Sequence, residues 1–389
     1  MFAFLKRARK SLIRLGFGLA ALGLAACEPM TGGGPLINTG GTVQVALLVP
    51  AGSTQQSDNL LAKSLENAAR LAIADLNGVK IDLRVYPTAG NPQQATQAAT
   101  QAINDGAKII LGPVYAQAAN AAGVVAAARG INVLAFSNNP SIAGGNVFIL
   151  GQTFSDTASR LMQYAVSQGK TKIAVVHDTT TAGQMADSAI TNAIASAGAT
   201  KVADDTYQYS QNGVVQAAPT IANDIKNANT DAVFLAANTA GALPLLTQLL
   251  SENGVDSKTE QFIGLTRWDI PQSTLSLPGV QGAWFALPDP SMSQQFAARY
   301  AQAYGNPPLP ITGLAYDGIA AIGALIKAGK SNALTAQALT QPSGFVGVNG
   351  IFRLLPNGTN QRGLAVAQIV NNQVQVIDPA PRSFGGAGL

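Results

Sequence analysis

The feature that most constrains this 389-residue chain is a regular alternation of short apolar runs with longer segments of helical periodicity. The runs VQVALLV (43–49), IDLRVYP (81–87) and KIILGPV (108–114) have the length and β-branched content of strands. Apolar residues recur at helical spacing over 57–77, and an Ala- and Gln-rich helix is predicted at 92–105. This strand–helix–strand rhythm predicts a parallel sheet, because parallel neighbours need a crossover connection, with helices on both faces.

A second series of the same kind begins after an Ala-rich helix, the run INVLAFS (131–137) and the run NVFILG (146–151). Its predicted strands and helices alternate along the chain: a helix from 155, strand 171–178, helix 183–197, strand 201–206, helix 216–228, strand 231–238, helix 241–253, strand 261–266 and an apolar segment at 282–288. Helices 291–304 and 313–328 follow, then strand-like segments within 351–377 that contain an Asn-Gly turn signal. About 350 residues with 47% hydrophobic content are enough for two cores.

The N-terminus carries a separate signal. Five basic residues and no acid precede an apolar stretch from Leu15 to Ala26, the pattern of a secretory signal peptide. The stretch is shorter than the roughly 20 residues of a membrane-spanning helix. The segment LAAC, ending at Cys27, resembles the bacterial lipobox, which implies that this sole cysteine is lipidated after cleavage. A buried structural cysteine is the alternative.

These features predict a periplasmic lipoprotein of a Gram-negative bacterium. Residues 1–26 are the expected signal peptide, and 27–41 are the lipidated cysteine with a Gly-rich flexible linker. Glu28 leaves both the inner and the outer membrane open as the anchoring site. Five of the 24 basic residues and none of the 20 acidic ones precede Cys27, so the remainder carries a net charge near −1. A nucleic-acid-binding surface is therefore not expected.

Several segments, in this order, resemble the type I periplasmic binding proteins of the leucine-binding-protein family: LLVP, LGPVYAQAANAAG, INVLAFSNN, KIAVVHD, QFIG and AYDGIAAI. The resemblance implies two Rossmann-like lobes with parallel sheets, joined by three crossovers, and a ligand in the cleft between them. The implied lobe one is 42–150 plus 288–348, lobe two is 151–287 plus 349–379, and 380–389 form a tail.

The resemblance also implies positions for ligand contacts. In amino-acid-binding members, hydroxyls and backbone N–H groups of two lobe-one loops hold the carboxylate, and an acid of lobe two meets the ammonium. Here the matching positions are Ala116 beside Tyr115 in the first loop and Ser137, Asn138 and Asn139 in the second. The two asparagines could instead simply form the turn before Pro140.

The matching lobe-two position holds Thr266 where a glutamate is expected, followed by Arg267 and Trp268. A cation beside the expected ammonium position would repel the ammonium group of an amino acid. Asp269 is the alternative residue that could balance the charge of the ammonium. The aromatic position expected after VVHD is also altered, to TTTAG. These departures from the family pattern weaken the prediction that the protein serves amino-acid transport.

Aromatic residues near the cleft or hinge are expected to include Tyr316 and Trp284, with core packing as the alternative for each. Asp317 is predicted to cap the long helix, or else to hydrogen-bond across the lobes.

The segments FSNNPSIAGGNVFILG, GAWFALPDP and GVNGIFRLLPNGTNQRGLAV resemble a lipoprotein branch of this fold, the penicillin-binding protein activators. That branch implies regulation of peptidoglycan synthesis through an envelope partner. Only a short linker precedes residue 42 here, whereas the branch carries a helical-repeat domain before this one.

No catalysis, cofactor or metal is expected. The single histidine, His177, has no second histidine or free cysteine for a metal site, and no nucleophile elbow or HExxH motif occurs. A surface-loop role is expected for it.

We therefore predict a non-enzymatic protein that binds a small polar ligand (amino-acid-like or a cell-wall fragment), an envelope partner such as a penicillin-binding protein, or both. The alternative is the substrate-binding subunit of an ABC importer for amino acids, which would dock on a permease.

Overall fold

The computed structural model describes residues 34–384. The predicted signal peptide (1–26), the lipidation site at Cys27 and the last five residues of the tail lie outside this range. None of the helices in the described part combines the length and the apolar character that a membrane crossing requires.

The first sheet contains five parallel strands in the order β2-β1-β3-β4-β5. Their bounds are β1 Thr42–Val49, β2 Lys80–Pro87, β3 Ile109–Leu111, β4 Val133–Ala135 and β5 Val147–Ile149. All three residues of each of the short strands β3, β4 and β5 are buried, as expected for strands inside a parallel sheet that is covered on both faces. The predicted runs at 108–114 and 131–137 are longer than the strands, because their last residues turn away into loops at the carboxyl edge.

Helices cover both faces of this sheet. The first face is covered by α1 (Gln56–Asp75), and the opposite face by α2 (Pro92–Asn104) and α3 (Ala116–Ala127). Alanines line the packed sides of α2 and α3, which lets these helices lie close to the strands. This sheet and its helices form the first lobe.

The second sheet has seven strands in the order β15-β14-β10-β9-β8-β6-β7. The strands are β6 Lys172–Asp178, β7 Thr200–Tyr207, β8 Ala232–Leu235, β9 Gln261–Gly264, β10 Trp284–Leu287, β14 Ala365–Val370 and β15 Gln373–Asp378. The helices are α4 Phe154–Ser167, α5 Thr181–Ser196, α6 Gln211–Asn227 and α7 Leu243–Glu252, with α4 and α5 on one face and α6 and α7 on the other. Together they form the second lobe.

This second sheet is mixed rather than parallel. Its first five strands in the chain are parallel, but β14 runs antiparallel to β10, and β15 runs antiparallel to β14. The tight β14–β15 connection is made by Asn371 and Asn372, both with positive φ, which suits a two-residue hairpin turn. Parallel sheets were expected for both lobes, and in the second lobe the expectation holds for β6 to β10 but not for β14 and β15.

The chain returns to the first lobe after β10. Helices α8 (Pro290–Tyr304) and α9 (Gly313–Lys327) pack on α1 and the first sheet, and the short α10 (Ala336–Leu339) follows. A small antiparallel sheet then forms from β11 Phe345–Gly347, β12 Gly350–Leu354 and β13 Asn360–Arg362. The predicted Asn-Gly turn connects β12 and β13. Phe352 and Leu354 pack in the first core, although the second lobe was expected to resume at residue 349.

Three segments therefore pass between the lobes: a first crossover at 150–153, a second at 288–289 and a third at 363–364. The N-terminal side of the first lobe also differs from expectation. Ile37 is buried in the first core, and its N–H donates to Ser331 O at 2.9 Å. The predicted flexible linker, which was expected to end at residue 41, is thus already attached to the domain at Ile37. The attachment arises because this apolar side chain within the Gly-rich stretch packs in the first core.

Candidate ligand-binding cleft

A cavity with a volume of about 690 Å³ lies between the lobes. Its walls come from the carboxyl ends of the first-sheet strands, from the start of α8, from the α8–α9 connection, and from all three crossovers. Ligands of open α/β sheets bind at this edge, and the volume is within the range of small-molecule sites. The cavity is therefore the candidate ligand site.

The first loop of the cleft follows β3 and leads into α3. Tyr115 and Ala116 line the cavity, and Tyr115 is the N-cap residue of α3 without a side-chain cap hydrogen bond. The first-turn N–H groups of a helix have no partner within the helix. The Tyr115 side chain does not accept a hydrogen bond from those of α3. The Tyr115 hydroxyl donates to Asp58 Oδ1 at 2.5 Å, which raises the pKa of Tyr115 to about 12. This hydrogen bond holds the Tyr115 ring at the rim of the cleft.

The second loop follows β4, and all three of its predicted residues line the cavity. Asn139 N–H donates to Ser137 Oγ at 3.1 Å, and Asn139 Oδ1 accepts from Ser141 N–H at 2.9 Å. Asn139 therefore forms the turn, the alternative considered for it, while also lining the cleft. A Cβ at Gly151 would lie 2.7 Å from Ser137 O, so only glycine lets the first crossover pass this loop so closely.

The second lobe contributes Arg267 and Ile270 to the cavity wall. Arg267 Nε donates to Asp269 Oδ1 at 2.6 Å, and its Nη2 donates to Oδ2. The pair is partly exposed, with 33% of the arginine side chain and 15% of the aspartate side chain accessible. The guanidinium is thus held at the mouth of the cleft by its own neighbour in the loop after β9.

The hinge side of the cleft is formed by a buried ion pair. Arg362 Nη1 donates to Asp317 Oδ2 at 3.1 Å, and its Nε donates to Leu150 O at 2.9 Å. Asp317 also accepts from Val348 N–H at 2.7 Å. Burial raises the pKa of Asp317, while Arg362 acts in the opposite direction. Asp317 lies inside α9 and does not cap it, contrary to the prediction of a capping role. Its contacts instead join α9 to Val348, just before β12, and to Arg362, at the end of β13.

A second set of contacts fastens the first crossover. Asn360 Nδ2 donates to the carbonyl oxygens of Ile149 at 3.0 Å and Gly151 at 2.9 Å. The crossover ends in a capping box, in which Asp156 Oδ2 accepts from both Thr153 N–H and Thr153 Oγ1–H. Burial raises the pKa of Asp156 to about 6. Side chains from β13 and α4 therefore fix the backbone of the first crossover.

Three predicted ligand residues lie away from the cavity. Trp268 is fully buried in the second core, where its indole packs against Gly264. Thr266 does not line the cleft, and its buried Oγ1 has no hydrogen-bond partner in residues 34–384. Tyr316 donates to Asp75, and its ring packs edge-on to Phe296 at 5.7 Å, so it supports a lining residue from behind. Trp284 is also buried, in contact with Tyr164.

Other lining residues were not predicted. Six of them come from the first crossover and from segments after the second crossover: Gln152, Ser293, Phe296, Leu309, Asn349 and Arg362. For Asn349 and Arg362 the sequence signal was the stretch GVNGIFRLLPNGTNQRGLAV, which was interpreted only as a family resemblance.

His177 lies outside the cleft and is buried in β6 rather than exposed in a loop. With Asp187 and Asp204 it forms the group of potential metal ligands found within the described residues. Lys201 Nζ already lies between the two carboxylates, 2.6 Å from Asp204 Oδ2 and 3.3 Å from Asp187 Oδ1. The carboxylates therefore have a cationic partner of their own, which argues against a metal there.

Comparisons with solved structures agree on the fold. A protein from Rhodospirillum rubrum, described as a candidate branched-chain amino acid ABC transporter, has a TM-score of 0.72 at 19% identity, covering 86% of this chain and 100% of its own. An ABC transporter substrate-binding protein from Desulfitobacterium hafniense, in complex with Leu, has a TM-score of 0.63 at 18% identity, with 87% and 100% covered.

A third structure is the solute-binding protein of an ABC transporter from Rhodopseudomonas palustris BisB5, in complex with 3,4-dihydroxybenzoic acid. Its TM-score is 0.58 at 20% identity, with 87% of this chain and 96% of that chain covered. No sequence among the curated proteins matches the chain significantly. At these identities the structural likeness establishes the fold alone.

The sequence itself supplies the remaining comparison. The family model described as periplasmic binding protein matches residues 42–373, which include the first sheet, the second sheet as far as the start of β15, all three crossovers and every residue that lines the cleft. The two-lobed fold and the position of the cavity agree with that match, and the chain therefore belongs to the periplasmic binding protein family.

Proposed function

We propose that this protein is a non-enzymatic, periplasmic substrate-binding protein that holds a small ligand in the cleft between its lobes and serves an ABC importer. The observation that carries the proposal is the cavity of about 690 Å³ at the carboxyl edge of the first sheet. It combines hydrogen-bonding groups of two loops with apolar side chains, the mixture found in small-molecule sites.

Hinge geometry supports closure on a ligand. The three crossovers are short. Arg362 and Asn360, which come just before the third crossover, donate hydrogen bonds to backbone carbonyls at 149–151, where the first crossover begins. Movement of the lobes would therefore be concentrated in a few residues, as in hinge closure around a ligand. Second-lobe residues such as Arg267 would reach the ligand as the lobes approach.

Related structures support an importer role without naming this chain's ligand. One holds leucine and another holds 3,4-dihydroxybenzoic acid in the same fold, so the fold accepts both zwitterions and aromatic acids. Family membership supports a periplasmic location, and lipid anchoring through Cys27 remains a prediction. The penicillin-binding protein activator role also remains a prediction, based on the segments that resemble that branch.

Thermal unfolding of the purified protein against amino acids, small organic acids and peptidoglycan fragments tests the proposal. A ligand at a hundred times its Kd stabilises the native state by about 2.7 kcal/mol. Asn138→Trp places a large side chain at the exposed cavity wall and should abolish the shift. Gln117→Trp is the matched control, since this exposed residue of α3 does not line the cavity.

A shift with amino acids or organic acids supports the importer subunit. A shift with wall fragments alone would support the envelope-sensing alternative instead. Protein that shifts with no compound, or whose shift survives Asn138→Trp, would contradict binding in this cleft.

A further inference from the structure

The charges of the cavity wall are unusual for a site that would hold an amino acid. Arg267 and Arg362 are the charged side chains among the described residues that line it, and no aspartate, glutamate or lysine lines it. An amino acid taken from water brings an ammonium group, which needs a counter-charge to offset its lost hydration. The wall offers cations instead.

The two arginines are not equally available to a ligand. Only 4% of the Arg362 side chain is exposed, and it is bound to Asp317 and to Leu150 O. Arg267 is 33% exposed and uses Nε and Nη2 for Asp269. Within residues 34–384 no hydrogen bond engages its Nη1, and a guanidinium has five N–H donors. Arg267 therefore presents a free donor edge at the mouth of the cleft.

Asp269 does not provide the missing counter-charge. It does not line the cavity, and its two carboxylate oxygens accept from the two nitrogens of one arginine edge. Such bidentate pairs are the stronger kind of charge-assisted hydrogen bond. An ammonium group could use Asp269 only by displacing Arg267, after which the arginine would itself lack a partner.

The remaining wall is largely apolar. Phe136, Phe296, Leu309 and Leu314 lie on the first-lobe side, and the Phe296 ring is held by its edge-on contact with Tyr316. Burial of apolar ligand surface against these residues contributes roughly 25 cal/mol per Å². A compact apolar body with an acidic end thus matches both parts of the wall.

We propose that the ligand is a small carboxylate with an apolar body and no ammonium group, and that Arg267 sets this charge preference. The inference rests on the proposed function, because it concerns the ligand of the same cleft. Arg267 donates to the carboxylate through Nη1 while Asp269 holds the guanidinium in place. The α-ammonium of an otherwise identical amino acid faces Arg267 with no carboxylate to receive it.

Matched ligand pairs test this inference directly. Titration calorimetry with 4-methylpentanoate against leucine, and with 3-phenylpropanoate against phenylalanine, compares each acid with its α-amino counterpart. We expect each acid to bind at least tenfold more tightly than its partner. Arg267→Met should remove most of this ratio, because it deletes the cation and leaves Asp269 without its partner. Arg299→Met is the control, since Arg299 pairs with Asp75 in a similar contact away from the cleft.

The outcomes separate the inference from the function on which it rests. Leucine or phenylalanine binding as tightly as its acid would overturn the charge preference while leaving a ligand-binding cleft. An unchanged ratio in Arg267→Met, with folding verified by circular dichroism, would overturn the role of Arg267. Absence of binding by both members of both pairs would overturn this ligand class, and the wider thermal-unfolding panel would then show whether the cleft binds any small ligand.

Discussion

Replacement of Arg362 by methionine tests the buried ion pair at the hinge. Arg362 is 4% exposed and Asp317 is fully buried, so removal of the arginine leaves an aspartate whose partner charge is gone. Breaking a buried pair on one side destabilises a protein by about 3–5 kcal/mol. The carbonyl of Leu150 also loses its donors. We expect a loss of about 4 kcal/mol in the free energy of unfolding at pH 7.

The loss should depend on pH in a defined direction. Burial already raises the pKa of Asp317, and the loss of Arg362 raises it further. The native state of the variant then binds a proton that the unfolded state has released, so its stability falls as pH rises above the unfolded pKa of about 4. The difference from wild type should therefore be smaller at pH 5 than at pH 7.

Urea unfolding followed by circular dichroism and tryptophan fluorescence at the two pH values measures this effect. Asp317→Asn combined with Arg362→Met should recover most of the loss, because the amide oxygen still accepts from Val348 N–H and no charge is buried. Arg353→Met on the neighbouring strand is the control and should cost less than about 1 kcal/mol, as its partly exposed side chain makes no ion pair in the described structure. A loss below 1 kcal/mol for Arg362→Met, or no recovery in the double variant, would refute the reasoning.

Three further changes test separate contacts. Gly264→Ala should destabilise the second lobe by about 1–3 kcal/mol in urea unfolding, since its Cβ would overlap the Trp268 indole, and an unchanged midpoint would contradict that packing. Asp156→Asn should remove a fall in stability between about pH 4 and pH 6, because the native pKa near 6 keeps a proton bound that the unfolded state has lost; parallel pH profiles of variant and wild type would argue against it. Asn360→Ala should cost about 1–3 kcal/mol by leaving two crossover carbonyls without its amide, and proteolysis at the crossover should accelerate. An unaltered digestion rate would show that Asn360 does not hold the crossover.

The local sequence pattern predicted most of the secondary structure, because the spacing of apolar residues distinguishes a helix from a strand. The helix expected at 57–77 forms at Gln56–Asp75, and the strand expected at 171–178 forms at Lys172–Asp178. The order of these elements also implied parallel sheets with two-sided helix packing, which the first sheet follows completely. The antiparallel pairing of β14 with β15 was not predicted, because only the Asn-Gly turn within 351–377 was identified and not the Asn-Asn turn at 371–372.

The residues of the candidate site were likewise predicted only in part. Tyr115, Ala116, Ser137, Asn138 and Asn139 line the cleft because loops at the carboxyl ends of parallel strands must meet at one edge. No periodic pattern distinguishes a side chain that turns towards the cleft from one that turns into the core, and residues 266–268 show this limit. Three consecutive residues of one short loop take three environments, with Arg267 at the cavity, Thr266 beside it and Trp268 in the core.

By itself, the sequence determined the alternation of strands and helices, which follows from local periodicity and chain order. The two-lobed architecture and the ligand position in the cleft were implied by the resemblance of its segments to the periplasmic binding proteins. Only the tertiary structure decided the composition of the cleft wall and its charge. Arg362 and Asp317 are 45 residues apart in the chain yet form one buried pair, and Arg267 is held by Asp269 beside a wall without acids. Such contacts depend on how distant segments pack, because burial and the position of partners are properties of the assembled fold.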